Sequence, residues 1–130
     1  VGHDSGYITY GENEVRRYMN SGAVRLVLLS EELDLYRVTI RCAACNFEEQ
    51  HTVKGKELQG FEQALSTKPC GSCKAPSYTI VDKKDIIDDI ADLAQLTNSE
   101  VEVISTETEE GQMLLNAFGG IAAFLRFKIQ

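Results

Sequence analysis

At 130 residues, 43% of them apolar and 25% charged, the chain suits one globular domain, or one domain with a small insertion, and has enough apolar content for a real core. No apolar run reaches the ~18 residues of a membrane span and no signal-peptide pattern opens the chain, which argues against a membrane partner; four cysteines in two tight pairs point to metal and a reducing cytoplasm. The net charge of −7 is concentrated, since residues 82–110 carry 10 acids against 2 bases; phosphate backbones need clustered Lys and Arg, so basic partner proteins are favoured over nucleic acid as the main ligand.

The chain opens on Val1 rather than an initiator Met and reads as part of something longer. Residues 7–10 are β-prone. Residues 12–20 place Val15, Tyr18 and Met19 on one helical face, and Gly22 stands where a left-handed helix stop is wanted. Residues 24–29 form a continuous apolar run, as in a central strand covered on both faces. Tyr36, Val38 and Ile40 alternate with Arg37, Thr39 and Arg41, the period-2 pattern of a half-buried strand. Composition then changes over residues 42–76, an insert with few large apolar groups (Phe47, Leu58, Phe61, Leu65).

A strand resumes at 78–81. The clearest helix spans 85–96: Ile86, Ile87, Ile90, Leu93 and Ala94 face inward, while Asp85, Asp88, Asp89 and Asp92 form a solvated face without calcium-loop spacing. Residues 101–104 form a strand. Thr106 or Thr108 caps a helix over 109–118, which Gly119 and Gly120 end; acids at 107–110 suit its dipole. Leu125, Phe127 and Ile129 alternate with Arg126 and Lys128 in a last strand, with Leu125 and Phe127 expected in the core and Phe124 and Arg126 exposed. The order β-α-β-β, insert, β-α-β-α-β predicts a mixed central sheet sandwiched by helices over 1–41 and 77–130, with 42–76 as an inserted minidomain.

Cys42 and Cys45 form one C-x-x-C pair, and Cys70 and Cys73 another, with 24 residues between the pairs. A two-residue spacer turns both sulfurs of a pair toward one point, and two such knuckles supply the four thiolates of a closed, tetrahedral structural zinc site. Pro69 stiffens the entry of the second knuckle and Gly71 permits its close turn. A redox dithiol would need a single pair at a helix start, and disulfide scaffolds spread their cysteines more widely. His51 is a competing ligand or a lone surface histidine. Metal binding supplies on the order of 10 kcal/mol of folding free energy to such modules, so zinc substitutes for a core in the insert.

Several stretches resemble the C-terminal domain of the archaeal and eukaryotic class 1 peptide chain release factors: DSGYITYG at 4–11, SGAV at 21–24, ELDL at 32–35, Glu110-Gly111 leading to FGGI at 118–121, and LRF at 125–127. The resemblance covers essentially the whole chain, and the paired cysteines match the archaeal form. It implies a Pelota-like α/β/α sandwich related to ribosomal proteins, with a zinc-ribbon-like minidomain inserted. Neither the codon-reading motif nor the Gly-Gly-Gln tripeptide of the family's other domains occurs in this sequence, so the resemblance implies no catalysis here. It implies docking to a translational GTPase of the elongation factor 1 alpha type and to the ABC-type ATPase that recycles ribosomes. The region it associates with GTPase contact corresponds to Gly119, Gly120, Leu125, Arg126 and Phe127, and Phe124 joins these as an exposed candidate. Ala123-Phe124 departs from the family's common Gly-Ile.

Two other classes compete. A zinc-containing RNA-binding module contacting ribosomal RNA needs Arg16, Arg17, Lys54, Lys56, Lys68, Lys74, Arg126 and Lys128 to converge. An enzyme is disfavoured by having only His3 and His51, no paired acid–base motif and no phosphate loop. Gly119-Gly120 also has a plain reading as a helix stop and tight turn. A monomer is expected.

Overall fold

The computed structural model describes residues 7–127. In chain order these form β1 (Ile8–Tyr10), α1 (Glu12–Asn20), β2 (Val24–Ser30), β3 (Leu35–Cys42), β4 (Glu48–Lys54), α2 (Leu58–Ala64), β5 (Tyr78–Asp85), α3 (Ile86–Thr97), β6 (Glu100–Ile104), α4 (Glu109–Phe118) and β7 (Ile121–Leu125), with short 3-10 turns on either side of α2. The expected positions at His3, 4–6, Lys128 and Ile129 lie outside the described residues. Two compact units result, residues 1–33 with 90–130, and residues 34–89.

The first unit carries a mixed sheet in the order β1-β7-β2-β6. β7 runs antiparallel to both β1 and β2, and β6 runs parallel to β2. A parallel neighbour requires a crossover, and α3 leads the chain into β6. Val15 and Met19, four apart on α1, are wholly buried, as are Val24, Val27 and Leu29 of β2. Gly22, at φ 77, ends α1 as its sequence position predicts.

α4 is closed at both ends by residues suited to the task. The Thr108 Oγ1 accepts the Gly111 N–H at 2.9 Å. Gly119 adopts φ 68, and both its N–H and that of Gly120, the latter at 2.9 Å, return to the Leu114 carbonyl, so a left-handed glycine ends the helix with its last carbonyls satisfied. A Cβ at 111 would stand 1.8 Å from the Ser105 carbonyl oxygen, so only glycine lets the first turn of α4 settle on its own entry loop.

The second unit is an antiparallel sheet in the order β4-β3-β5. One face packs Val38, Ile40, Cys42, Val53 and Tyr78 against Leu65 and Cys70, flanked by Leu58 and Phe61 of α2. The single central sheet read from element order is thereby corrected to two sheets. The strands at 36–40 and 78–81 do not join the main sheet; β3 ladders with β4 on one side and β5 on the other, so the compact unit around the cysteines runs from 34 to 89, wider than the 42–76 insert. The alternation over 36–41 identified a buried face but held no record of which strand would pair with it.

The last strand is also displaced. β7 occupies Ile121–Leu125, so among the described residues of the expected strand Leu125 is in β7 and buried, whereas Phe127 lies past its end and is 59% exposed rather than in the core. β7 lies between two neighbours with Ile121, Ala122, Ala123 and Leu125 buried, so it shows no alternation, and its two alanines have weak strand propensity.

Candidate metal centre and docking face

The cysteine pairs fold into two knuckles of matching backbone geometry. In the first, the Cys42 N–H bonds the Phe47 carbonyl at 2.9 Å, the Asn46 N–H bonds the Cys42 carbonyl at 2.7 Å, and Asn46 takes φ 66. In the second, the Cys70 N–H bonds the Ala75 carbonyl at 3.0 Å, the Lys74 N–H bonds the Cys70 carbonyl at 3.0 Å, and Lys74 takes φ 70. Identical spacing and identical bonds turn both sulfurs of each pair to one side. Cys42 and Cys70 are buried, Cys45 and Cys73 exposed, and all four are free thiols.

The four Sγ atoms lie within 4.8 Å of one another. Across the knuckles, Cys42 Sγ and Cys73 Sγ are 3.6 Å apart, as are Cys45 Sγ and Cys70 Sγ. A tetrahedron with Zn–S bonds of about 2.3 Å has edges of about 3.8 Å, whereas a disulfide needs about 2.05 Å. The donor set therefore fits zinc. His51 is not in this cluster; its Nε2 lies 2.9 Å from Glu49 Oε1 and its ring tilts against Phe61.

The electrostatics fit a thiolate site as well. Desolvation is the largest influence on Cys70 and opposes ionisation, but the N–H groups of Cys73 and Ser72 aimed at its sulfur, with help from the Cys45 and Cys42 thiols, outweigh it and bring its pKa down to about 6. Cys45 goes the other way. The Phe47 backbone bond favours its thiolate, yet desolvation and the crowding of Cys73, Cys70 and Cys42 push it up to about 11. Four sulfurs this close cannot all ionise without a cation among them, which is the condition a bound zinc relieves.

The other predicted positions gather on the first unit. Phe124 is half-buried in β7, with the Arg25 guanidinium 5.7 Å from its ring centre. Tyr7, Arg25, Phe124 and Arg126 border a recess of about 400 Å³. Arg126 is exposed at its surface, yet its Nε donates to the Gly22 carbonyl at 3.1 Å and its Nη2 to the Asn98 carbonyl at 2.5 Å. These carbonyls lie just past the C-terminal ends of α1 and α3, so the guanidinium ties down the two turns that leave those helices. Gly119 and Gly120 hold the turn into β7, where a Cβ on Gly120 would meet the Leu33 side chain at 2.7 Å.

Sequence reasoning passed over a neighbouring apolar patch. Tyr10 and Met113 are more than half exposed, and the Tyr10 ring sits 5.1 Å from that of Phe118. Ile8, Leu28, Leu114 and Phe118 help line a small apolar cavity of about 120 Å³ beside Phe124. The signal was present in Met113, an apolar residue off the buried stripe of α4. Of the basic residues a nucleic-acid face would recruit, Arg16 pairs with Glu12, Arg17 with Glu14, and Arg126 is taken up by carbonyls.

Comparison with known proteins gives a consistent result. The family model described as eRF1 domain 3 matches residues 1–129. The chain is 43% identical over 126 residues to peptide chain release factor subunit 1 of Methanococcus vannielii, covering 97% of this chain and 30% of that protein. The solved C-terminal domain of a peptide chain release factor from Methanosarcina mazei matches with a TM-score of 0.81 at 39% identity, covering 96% of this chain and 74% of that one. Pelota from Archaeoglobus fulgidus, at 22% identity and a TM-score of 0.51 over 98% of this chain and 26% of its own, shares the fold alone.

Proposed function

The chain belongs to the eRF1 domain 3 family, and on that premise we propose that it serves as the partner-docking, C-terminal domain of a translation termination factor. The observation that carries this reading is the 43% identity to a release factor subunit across 97% of the chain. The domain is not itself an enzyme; stop-codon reading and peptidyl-tRNA hydrolysis belong to other domains of such a factor. Its partners are a translational GTPase of the elongation factor 1 alpha type, the ABC-type ATPase that recycles ribosomes, and the ribosome itself.

The exposed Tyr10, Met113 and Phe127, with half-buried Phe124 beside Arg25, support the first unit as the docking side, because exposed aromatic and Met side chains near an arginine are the composition of interface hot spots. Cys42, Cys45, Cys70 and Cys73 hold a structural zinc ion in the second unit. Zinc there supplies no open coordination position, only the crosslink that a thin core lacks.

Calorimetric titration of the domain with the GTPase, in GTP and GDP forms at moderate salt, tests the reading. Saturable 1:1 binding that weakens at least tenfold in Phe124→Ala supports it. Absence of binding in both nucleotide states sinks the docking assignment to this domain alone.

A further inference from the structure

We infer that Tyr78 and Glu49 are positioning residues that set the second cysteine knuckle for metal, an inference that rests on the zinc reading. The two knuckles share a backbone but not a support. The first is the tip of the β3–β4 hairpin, with Cys42 ending β3 and Phe47 preceding β4. The second lies in the loop 68–77, with a 3-10 turn before it and β5 after it. No ladder holds Gly71, Ser72 or Cys73, yet the N–H groups of Ser72 and Cys73 must point at Cys70 Sγ, which they reach at 3.3 and 3.5 Å.

A buried phenol does the holding. Tyr78 Oη accepts the Gly71 N–H at 3.1 Å and donates to Glu49 Oε2 at 2.5 Å. Glu49 is anchored on β4, and its other oxygen faces His51 Nε2. Tyr78 stands opposite Cys42 in the β3–β5 register, so one side chain spans from the first knuckle's strand to the second knuckle's turn. Gly71 fits the contact closely, since a Cβ there would meet Glu49 Oε2 at 3.2 Å and the Phe47 ring at 3.4 Å. Tyr78 is 4% exposed, and a phenol that must donate to a carboxylate has to stay protonated.

Hydrogen-bonding groups one layer out from metal ligands typically change metal affinity by about 10–100-fold. Tyr78→Phe removes both the donor and the acceptor and keeps the ring that fills the core. Glu49→Gln keeps an acceptor for the phenol but removes its charge. The test uses the full chain, with Tyr18→Phe on α1 as control, and follows two quantities: zinc affinity by competition with a chromogenic chelator, and the visible bands of the cobalt-substituted protein, which report ligand geometry.

Tyr78→Phe is expected to bind zinc at least tenfold more weakly with shifted cobalt bands, Glu49→Gln to fall between it and wild type, and the double variant to lose no more than Tyr78→Phe alone. Additive losses, or zinc affinity and cobalt bands within twofold of wild type in Glu49→Gln and Tyr78→Phe, would overturn the pairing while leaving the zinc site standing. Wild-type protein without stoichiometric zinc would instead remove the metal reading, and this inference with it.

Discussion

The Arg126 Nη2 donates to the Asn98 carbonyl across 28 residues of sequence, at the point where Asn98, at φ 57, closes α3. The same guanidinium donates from Nε to the Gly22 carbonyl beyond α1. The arginine of the LRF motif thus fastens the turns that follow two helices, and this determines how its substitutions should be read.

Arg126→Ala is expected to cost roughly 1.5–3 kcal/mol in urea unfolding, the range for hydrogen bonds to a charged group, with the lower end favoured because the side chain is exposed. Arg126→Lys should recover only part, since an ammonium cannot serve two carbonyls with the fixed fork of a guanidinium. An Arg126→Ala protein as stable as wild type would show that these bonds do not persist in solution.

Gly111→Ala should destabilise by about 3 kcal/mol or more, at or beyond the top of the range for overpacking, because the added carbon meets a backbone oxygen at 1.8 Å rather than a movable side chain. Gly22→Ala, with nothing within 4 Å and φ 77, should cost only about 1 kcal/mol from backbone strain. Thermal melts of the two variants check the order; equal losses would contradict the close approach at Ser105.

Removing zinc by chelation under reducing conditions should unfold residues 34–89 and leave the first unit largely intact, because each unit has its own sheet and the second has the thinner core. Hydrogen exchange followed by peptide should show protection lost in β3, β4 and β5 and retained in β2 and β7. Cys70→Ser should reproduce the chelated state. Uniform loss across both units would mean that they unfold as one.

The Glu49 carboxyl is held below its ordinary value of 4.5 by the Tyr78 hydroxyl first and by His51 second. A depressed carboxyl stabilises the fold above its unfolded pKa and loses that contribution as pH falls through the lower folded value. Between pH 7 and pH 3 the wild type should therefore lose more stability than Glu49→Gln, so that the gap between their denaturation midpoints narrows on acidification. A gap that stays constant over this range would show that Glu49 ionisation is not linked to folding.

Much of this protein was legible in its sequence where the cause is local. Two C-x-x-C spacings dictated two knuckles, because a two-residue turn leaves the sulfurs few directions. The apolar period gave α1, α3 and α4, and Thr108, Gly22 and Gly119 marked their ends through capping and left-handed geometry. What only the tertiary structure decided is which distant pieces meet. Alternation at Tyr36, Val38 and Ile40 named a buried face, but pairing with His51 and Lys83 rather than with the main sheet depends on long-range register. Ala122 and Ala123 concealed a central strand because burial on both faces erases the period. Tyr78 finds Glu49 29 residues away, and Arg126 reaches Gly22 across 104, through hydrogen bonds whose geometry exists only after the strands have paired. Local sterics are encoded residue by residue, whereas partners in a ladder or a buried polar bond are set by the packing of the whole unit.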